Sequence, residues 1–203
     1  MILAFDTSTA ACTAALFDGS GAFVARADER IGRGHSERLV PMLEELLQGR
    51  RADHILVGVG PGSFTGIRVG LAAAHGLAIG WNAGISGMSS LGLLAASATT
   101  DTVVGAAMIG GHGELFVQQF DGRTLEPRSD LKNLCPAEAA KAIDAHVVIG
   151  SGARQLVEAR GWGEACEAYP TAADAQRLPH ALRTLPPKPV YARAPDARAL
   201  EAA

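Results

Sequence analysis

Apolar and polar positions along the chain fall into short runs that predict strands and helices in a fixed order. Ile2 to Phe5 is a continuous apolar run and reads as a first, buried strand. Thr13 to Phe17 and Ala22 to Ala27 read as two more strands. The turn residues Asp18-Gly19-Ser20-Gly21 between them imply an antiparallel meander. Leu39, Val40, Leu43, Leu46 and Leu47 then recur at helical spacing, with Ser36 as the expected N-cap. Pro41 lacks an N–H and is expected in the first turn of that helix or at a kink. Ile55 to Val59 is a β-branched run that predicts a buried strand. The loop Gly60 to Gly66 follows it and opens a helix to about Gly80, with a strand over 84–88 and a helix over 89–98.

The second half repeats this order. Val103 to Ile109 and Glu114 to Phe120 predict strands, with a third over 124–128. Pro136 to Ile143 predicts a helix, His146 to Ile149 a strand and Gly152 to Arg160 a helix. Beyond Gly161 the pattern weakens: Thr171 to Leu182 reads as helical, and Pro186 to Pro189 as an extended linker. Three meandering strands, helix, strand, helix is the order of an RNase H-like unit. The chain is therefore expected to hold two such units, 1–102 and 103–203, in an α/β fold with mixed sheets flanked by helices.

Composition narrows the function. At 48% hydrophobic with a formal charge of -3 over 203 residues, the chain reads as globular, not disordered. Neither half is basic, so neither neutralises many phosphates by itself, and any role near RNA is expected to work through a partner. Cys12, Cys135 and Cys166 are odd in number and far apart, as reduced thiols of a cytoplasmic protein would be. Val69 to Thr100 contains no Asp, Glu, Lys or Arg. His75, Asn82, Ser86, Ser89 and Ser90, with six glycines, interrupt it, so buried elements are expected there and no membrane span.

Candidate chemistry is sparse. Asp6-Thr7-Ser8-Thr9 at the end of the first strand suits either a metal–phosphate site or a plain Asx turn. The Gly60–Gly66 loop is neither a Walker loop nor a dinucleotide fingerprint. Gly66, Gly70, Ala73, Ala74 and Leu77 share one helix face. Such a face allows another helix to approach closely, either the helix from Ser36 to Gln48 or one across an interface. His35 and Glu37 diverge on a helix, so they read as a polar helix start and not a metal pair. Neither a nucleophile elbow nor a nuclease-like carboxylate cluster is present.

Four stretches together resemble the bacterial TsaB (YeaZ) family. They are Met1–Thr9, His35-Ser36-Glu37-Arg38-Leu39-Val40-Pro41, Gly60-Pro61-Gly62-Ser63-Phe64-Thr65-Gly66-Ile67-Arg68-Val69-Gly70 and Tyr191-Ala192-Arg193-Ala194-Pro195-Asp196. The resemblance implies an ASKHA-type fold, actin- and Hsp70-like. It implies a non-catalytic subunit in the threonylcarbamoylation of the adenosine beside the tRNA anticodon. TsaD would be its heterodimer partner and the transferase, and TsaE an ATPase joining a ternary complex. A homodimer is expected when the chain is alone. No cofactor is expected on this chain; ATP, magnesium and metal belong to the partners. By alignment with the TsaD motifs, that enzyme's two metal histidines fall on Ser90 and Leu94, and an acidic residue falls on Ala10. These changes point to a pseudoenzyme, with Asp6, Thr7 and Ser8 as vestiges of a cofactor site. The expected partner face comprises His35, Glu37, Leu39 and Leu43 with Phe64, Thr65, Gly66, Arg68, Val69, Gly70, Ala73 and Ala74. The stretch Ile109 to Phe116 departs from the family's usual turn. The alternative is an ATP-dependent, kinase-like enzyme of the same fold acting alone.

Overall fold

The computed structural model describes residues 1–191, so the tail motif from Ala192 to Asp196 lies outside the described residues. Five strands form the first sheet: β1 (Ile2–Asp6), β2 (Ala11–Phe17), β3 (Phe23–Arg30), β4 (His54–Gly58) and β5 (Gly84–Met88). Their order is β3-β2-β1-β4-β5. The short links at 7–10 and 18–22 make β1, β2 and β3 antiparallel neighbours. Strands β4 and β5 run parallel to β1, because helical crossovers carry the chain back between them: α1 (His35–Leu47) before β4 and α2 (Phe64–Trp81) before β5.

After α3 (Ser90–Ala96), the same plan repeats in β6 (Val103–Ile109), β7 (Leu115–Asp121), β8 (Lys132–Leu134), β9 (Val147–Ile149) and β10 (Glu164–Cys166). These strands form a second sheet in the order β10-β9-β6-β7-β8, flanked by α4 (Pro136–Ala142) and α5 (Ala153–Arg160). Strand directions match those of the first sheet position for position. Two mixed sheets of identical topology make the duplicated RNase H-like, ASKHA-type architecture.

Side-chain size assigns the faces. On β1, Leu3 and Phe5 join the core under α1 and α2, while Ala4 faces the other way. On β2, Cys12, Ala14 and Leu16 lie on the helix side, and Ala15 and Phe17 on the far side. On that far side a second core runs from Ala4, Ala15 and Leu56 of the first sheet to Val104, Ala106 and Phe120 of the second. Leu91, Leu93 and Leu94 of α3 join the two. Every residue of α3 is buried. The last part of the uncharged stretch from Val69 to Thr100 is thus a helix wedged between two sheets, whereas its first part, on α2, keeps an exposed side at Ala72, Gly76, Ile79 and Gly80 and is not the buried element expected. No helix among the described residues is long and apolar enough to cross a membrane.

The chain finally returns to the first sheet. Thr13 donates its hydroxyl hydrogen to Asp28 and accepts from the Ala172 N–H at 2.8 Å. After a 3-10 segment (Ala172–Arg177) and α6 (His180–Arg183), Leu185 and Gly87 exchange backbone hydrogen bonds of 3.0 and 2.7 Å, and the Val190 N–H reaches the Val59 carbonyl at 2.8 Å. This segment covers the edge of β5.

The structure departs from the sequence reading in five further places. Residues 171–182 are not one helix: the 3-10 segment ends at Arg177, and extended Leu178 and Pro179 separate it from α6. The third strand of the second half is 132–134 and not 124–128, where the Asp121 carboxylate closes a turn by accepting from the Arg123 and Thr124 N–H groups. Strand β10 falls in the weakly patterned region, and three residues are too few to show alternation. Helix α1 is capped by the backbone of Gly34 in the left-handed conformation, not by Ser36, whose hydroxyl donates to Glu37. Pro41 lies past the first turn of α1, on its exposed side.

Because α3 is common to both halves, Leu91→Ala should cost about 2–5 kcal/mol. Trp81 and Trp162 are the chain's two tryptophans, one in each half. In the Leu91→Ala background, Trp81→Phe and Trp162→Phe variants should report one common urea midpoint by fluorescence. Two separate midpoints would mean that the halves do not share a core.

Candidate functional site

Strand β1 delivers Asp6 to the middle of the molecule, where it is fully buried. Its Oδ1 accepts from the Ser8 N–H at 2.7 Å and the Ser8 hydroxyl at 2.6 Å; its Oδ2 accepts from the Ser90 hydroxyl at 2.5 Å. Ser89 caps α3 by accepting from the Gly92 N–H, which leaves the Ser90 side chain to Asp6. A Cβ on Gly58 would sit 2.0 Å from Oδ2, so the neighbouring strand closes the remaining side. Both carboxylate oxygens are thus spent on the chain itself, which offsets the cost of burying the charge.

Thr7 and Ser8 are equally committed. The Thr7 hydroxyl donates to the Gly66 carbonyl at 2.7 Å, and the Ser8 carbonyl accepts from the Ser63 N–H at 2.6 Å. A Cβ would lie 2.2 Å from the Ser8 oxygen at Gly62, 2.0 Å from the Thr7 carbonyl at Gly66 and 2.6 Å from Thr7 Oγ1 at Gly70. The Gly60–Gly66 loop and the start of α2 are therefore pressed onto the 6–8 turn.

That contact corrects the expected partner face. Gly66, Gly70 and Ala74 are buried against this chain's own first sheet, and Leu39 and Leu43 lie in the core beneath α1. His35 is buried too, with its Nε2–H donating to the Ala11 carbonyl at 3.2 Å. The glycine stripe exists because two pieces of one chain meet closely, so these six positions are no docking surface. Glu37, Phe64, Thr65 and Arg68 remain exposed, while Val69 and Ala73 are half-buried.

The sequence reading missed the opposite side of α2. Ala72, Gly76, Ile79 and Gly80 are exposed there, and Ile79 is 84% exposed. A Cβ on Gly76 or Gly80 would meet nothing within 4 Å. Val40, on α1, is also 60% exposed. The signal was present as two glycines off the Gly66–Gly70 register.

Between the two halves opens a cleft of about 1220 Å³. Arg33 and Arg68 line it, together with the aromatic rings of Phe64, Phe116, Tyr169 and Tyr191. Asp6 does not line it. The aligned metal positions hold Ser90, bonded to Asp6, and Leu94, fully buried in the core. Among the described residues, no three His, Cys, Asp or Glu side chains gather as a metal would require. Cys12 is buried, and burial above all pushes its thiol up to about 11, away from a reactive thiolate.

Two glycine classes follow from this geometry, and they should respond oppositely to a methyl group. Gly70→Ala should lower stability by about 1–3 kcal/mol through overpacking against Thr7. Gly76→Ala should raise it by about 1 kcal/mol, since an exposed helix-interior glycine has only its backbone entropy to lose. Urea unfolding of both variants checks the pair, and equal signs would refute the placement of α2.

Residues 28–193 match the family model described as TsaD, tRNA N6-adenosine threonylcarbamoyltransferase. The chain is similar to the tRNA threonylcarbamoyladenosine biosynthesis protein TsaB of Haemophilus influenzae, 39% identical over 103 residues, 48% of this chain and 42% of that one. It is also similar to the protein of that name from Escherichia coli, 36% identical over 128 residues, 59% and 54% of the two chains. The chain spans about half the length of these curated relatives in the matched regions. Among solved structures, YeaZ from Pseudomonas aeruginosa superposes with a TM-score of 0.78 at 30% identity, covering 94% of this chain and 98% of that one. Matched to YeaZ at 30% identity over 94% of its own length, and to the TsaD-described model over residues 28–193, the chain belongs to the TsaB (YeaZ) family of tRNA threonylcarbamoyladenosine biosynthesis proteins.

Proposed function

We propose that this chain is a non-catalytic cytoplasmic subunit that docks the transferase TsaD through the outer face of α2 and the exposed side of α1. The observation that carries this reading is the pair Gly76 and Gly80. Each helix-interior glycine costs about 1 kcal/mol relative to alanine, and none of the described residues approaches either one. Glycines that give up stability without internal packing suit a helix that another backbone must approach closely. Ile79 and Val40 add apolar area beside them that water would otherwise cover.

The commitment of Asp6 supports a role without chemistry. A phosphoryl-transfer site needs a carboxylate free to hold magnesium, and here Ser8 and Ser90 occupy both oxygens. ATP, magnesium and the catalytic metal would reside on TsaD and TsaE, and tRNA would be met only through the assembled complex. Partner binding would act by favouring the active arrangement of TsaD. Without TsaD, the same face would pair with a second copy of this chain.

Gly76→Gln and Ile79→Glu test the reading. Both should leave the isolated chain folded by circular dichroism and at least as stable as wild type for Gly76→Gln. Both should weaken co-purification with TsaD at least about tenfold, a loss of about 1.4 kcal/mol. Threonylcarbamoylation of tRNA by the reconstituted proteins should fall in parallel. Wild-type affinity in both variants would overturn the interface, and ATP turnover by the isolated chain would favour the kinase-like alternative.

A further inference from the structure

Helix α2 is nearly without charge. Of its 18 residues, Arg68 alone is Arg, Lys, Asp or Glu. Arg68, Ala72, Gly76 and Ile79 recur at steps of four, four and three, so they share one stripe, and all four are exposed. Arg68 ends that stripe at the mouth of the cleft.

Other arginines are held by oxygen. Arg38 meets Glu29 and Glu45, Arg50 donates to the carbonyls of Leu46 and Leu47, and Arg160 donates to those of Ile143, Ala145, His146 and Trp162. Arg68 is held by a ring instead. Its guanidinium carbon lies 3.4 Å from the Phe64 ring centre, and that ring stacks on Tyr191 with centroids 5.7 Å apart. Among the described residues no ion pair joins Arg68 to a carboxylate. Stacking fixes the plane of the guanidinium without consuming its N–H donors. The rings themselves are open, Phe64 at 55% and Tyr191 at 46% exposure. The segment that closes the first sheet brings Tyr191 there by running back along α2, where the His75 Nε2–H donates to the Pro187 carbonyl at 3.4 Å. A fixed guanidinium, flanked by exposed rings and an uncharged stripe, has the anatomy of an interface anchor: the rings exclude water from the oxygen that the guanidinium meets.

We infer that the partner docked on α2 presents an aspartate or glutamate to Arg68, and that this pair sets the direction in which the partner's helix runs. The inference rests on the docking face proposed above and adds the chemistry of the group that meets it. A carboxylate fits because the planar guanidinium fork takes it with two parallel hydrogen bonds. An uncharged stripe of small residues accepts a helix in either direction, whereas one charge at one end does not. Arg68 and Gly76 are about 12 Å apart along the helix axis, at 1.5 Å per residue. The partner's carboxylate therefore stands about that far from the backbone that closes on Gly76.

Isothermal titration of the full chain with TsaD tests the pair in Arg68→Lys, Arg68→Gln and Arg68→Glu, exposed changes whose folding is checked by circular dichroism. Arg68→Gln should weaken binding about tenfold. Arg68→Lys keeps the charge but not the fork or the stacked plane, so it should recover part of that loss. Arg68→Glu sets two carboxylates against each other and should bind more weakly than Arg68→Gln. Equal weakening in all three would make Arg68 a packing residue and overturn the pair. Gly76→Gln reads the docking face separately. Loss of TsaD in Gly76→Gln, with all three Arg68 variants binding as wild type, would overturn the pair and leave the face standing. Wild-type affinity in Gly76→Gln as well would bring both down.

Discussion

A buried carboxylate organises this molecule. Asp6 stands at the C-terminal end of the first central strand, with no water to solvate it, and takes hydrogen bonds from Ser8 behind it and from Ser90 at the head of the helix that leads to the second half. Leaving such a charge unpaired would cost several kcal/mol. The geometry of its three donors therefore fixes the 6–8 turn, the start of α3 and, through Thr7 and Ser8, the start of α2. Ser8, Thr9 and Ala10, just past Asp6, line the cleft between the two halves. Here the acid has been turned from that space into the framework.

This explains which parts of the structure were legible in the sequence. Strand and helix order could be read because long apolar runs such as Ile55 to Val59 and periodic ones such as Leu39 to Leu47 carry their period openly. The duplication followed from that order. Short elements were not legible: three-residue strands at Lys132–Leu134 and Glu164–Cys166 are too brief for alternation, and their pairing is decided by the sheet they join. Glycine defeated the reading of the site. Gly66 and Gly70 identified a close approach correctly, but a residue without a side chain does not say from which direction the neighbour comes. Only the position of Thr7 settled that.

The four glycines of α2 thus fall into two sets. Gly66 and Gly70 are required by the chain's own turn, whereas Gly76 and Gly80 stand open ten residues further along. Internal packing accounts for the first pair, and none of the described residues packs on the second. The same separation holds for charge. Arg38, bridging Glu29 on β3 and Glu45 on its own helix, is structural and holds both carboxyls below their usual range. Among the described residues no ion pair joins Arg33 or Arg68 to a carboxylate.

The return of residues 171–190 to the first sheet has a consequence for biosynthesis. A ribosome releases the five strands of that sheet early, yet the edge of β5 at Gly87 stays uncovered until Leu185 has been polymerised. The N-terminal half must wait, with an open strand edge, while the whole C-terminal half is translated. Open edges recruit other chains. Nascent polypeptides stalled before this closing segment are the form of the protein most exposed to misassembly and most in need of a chaperone.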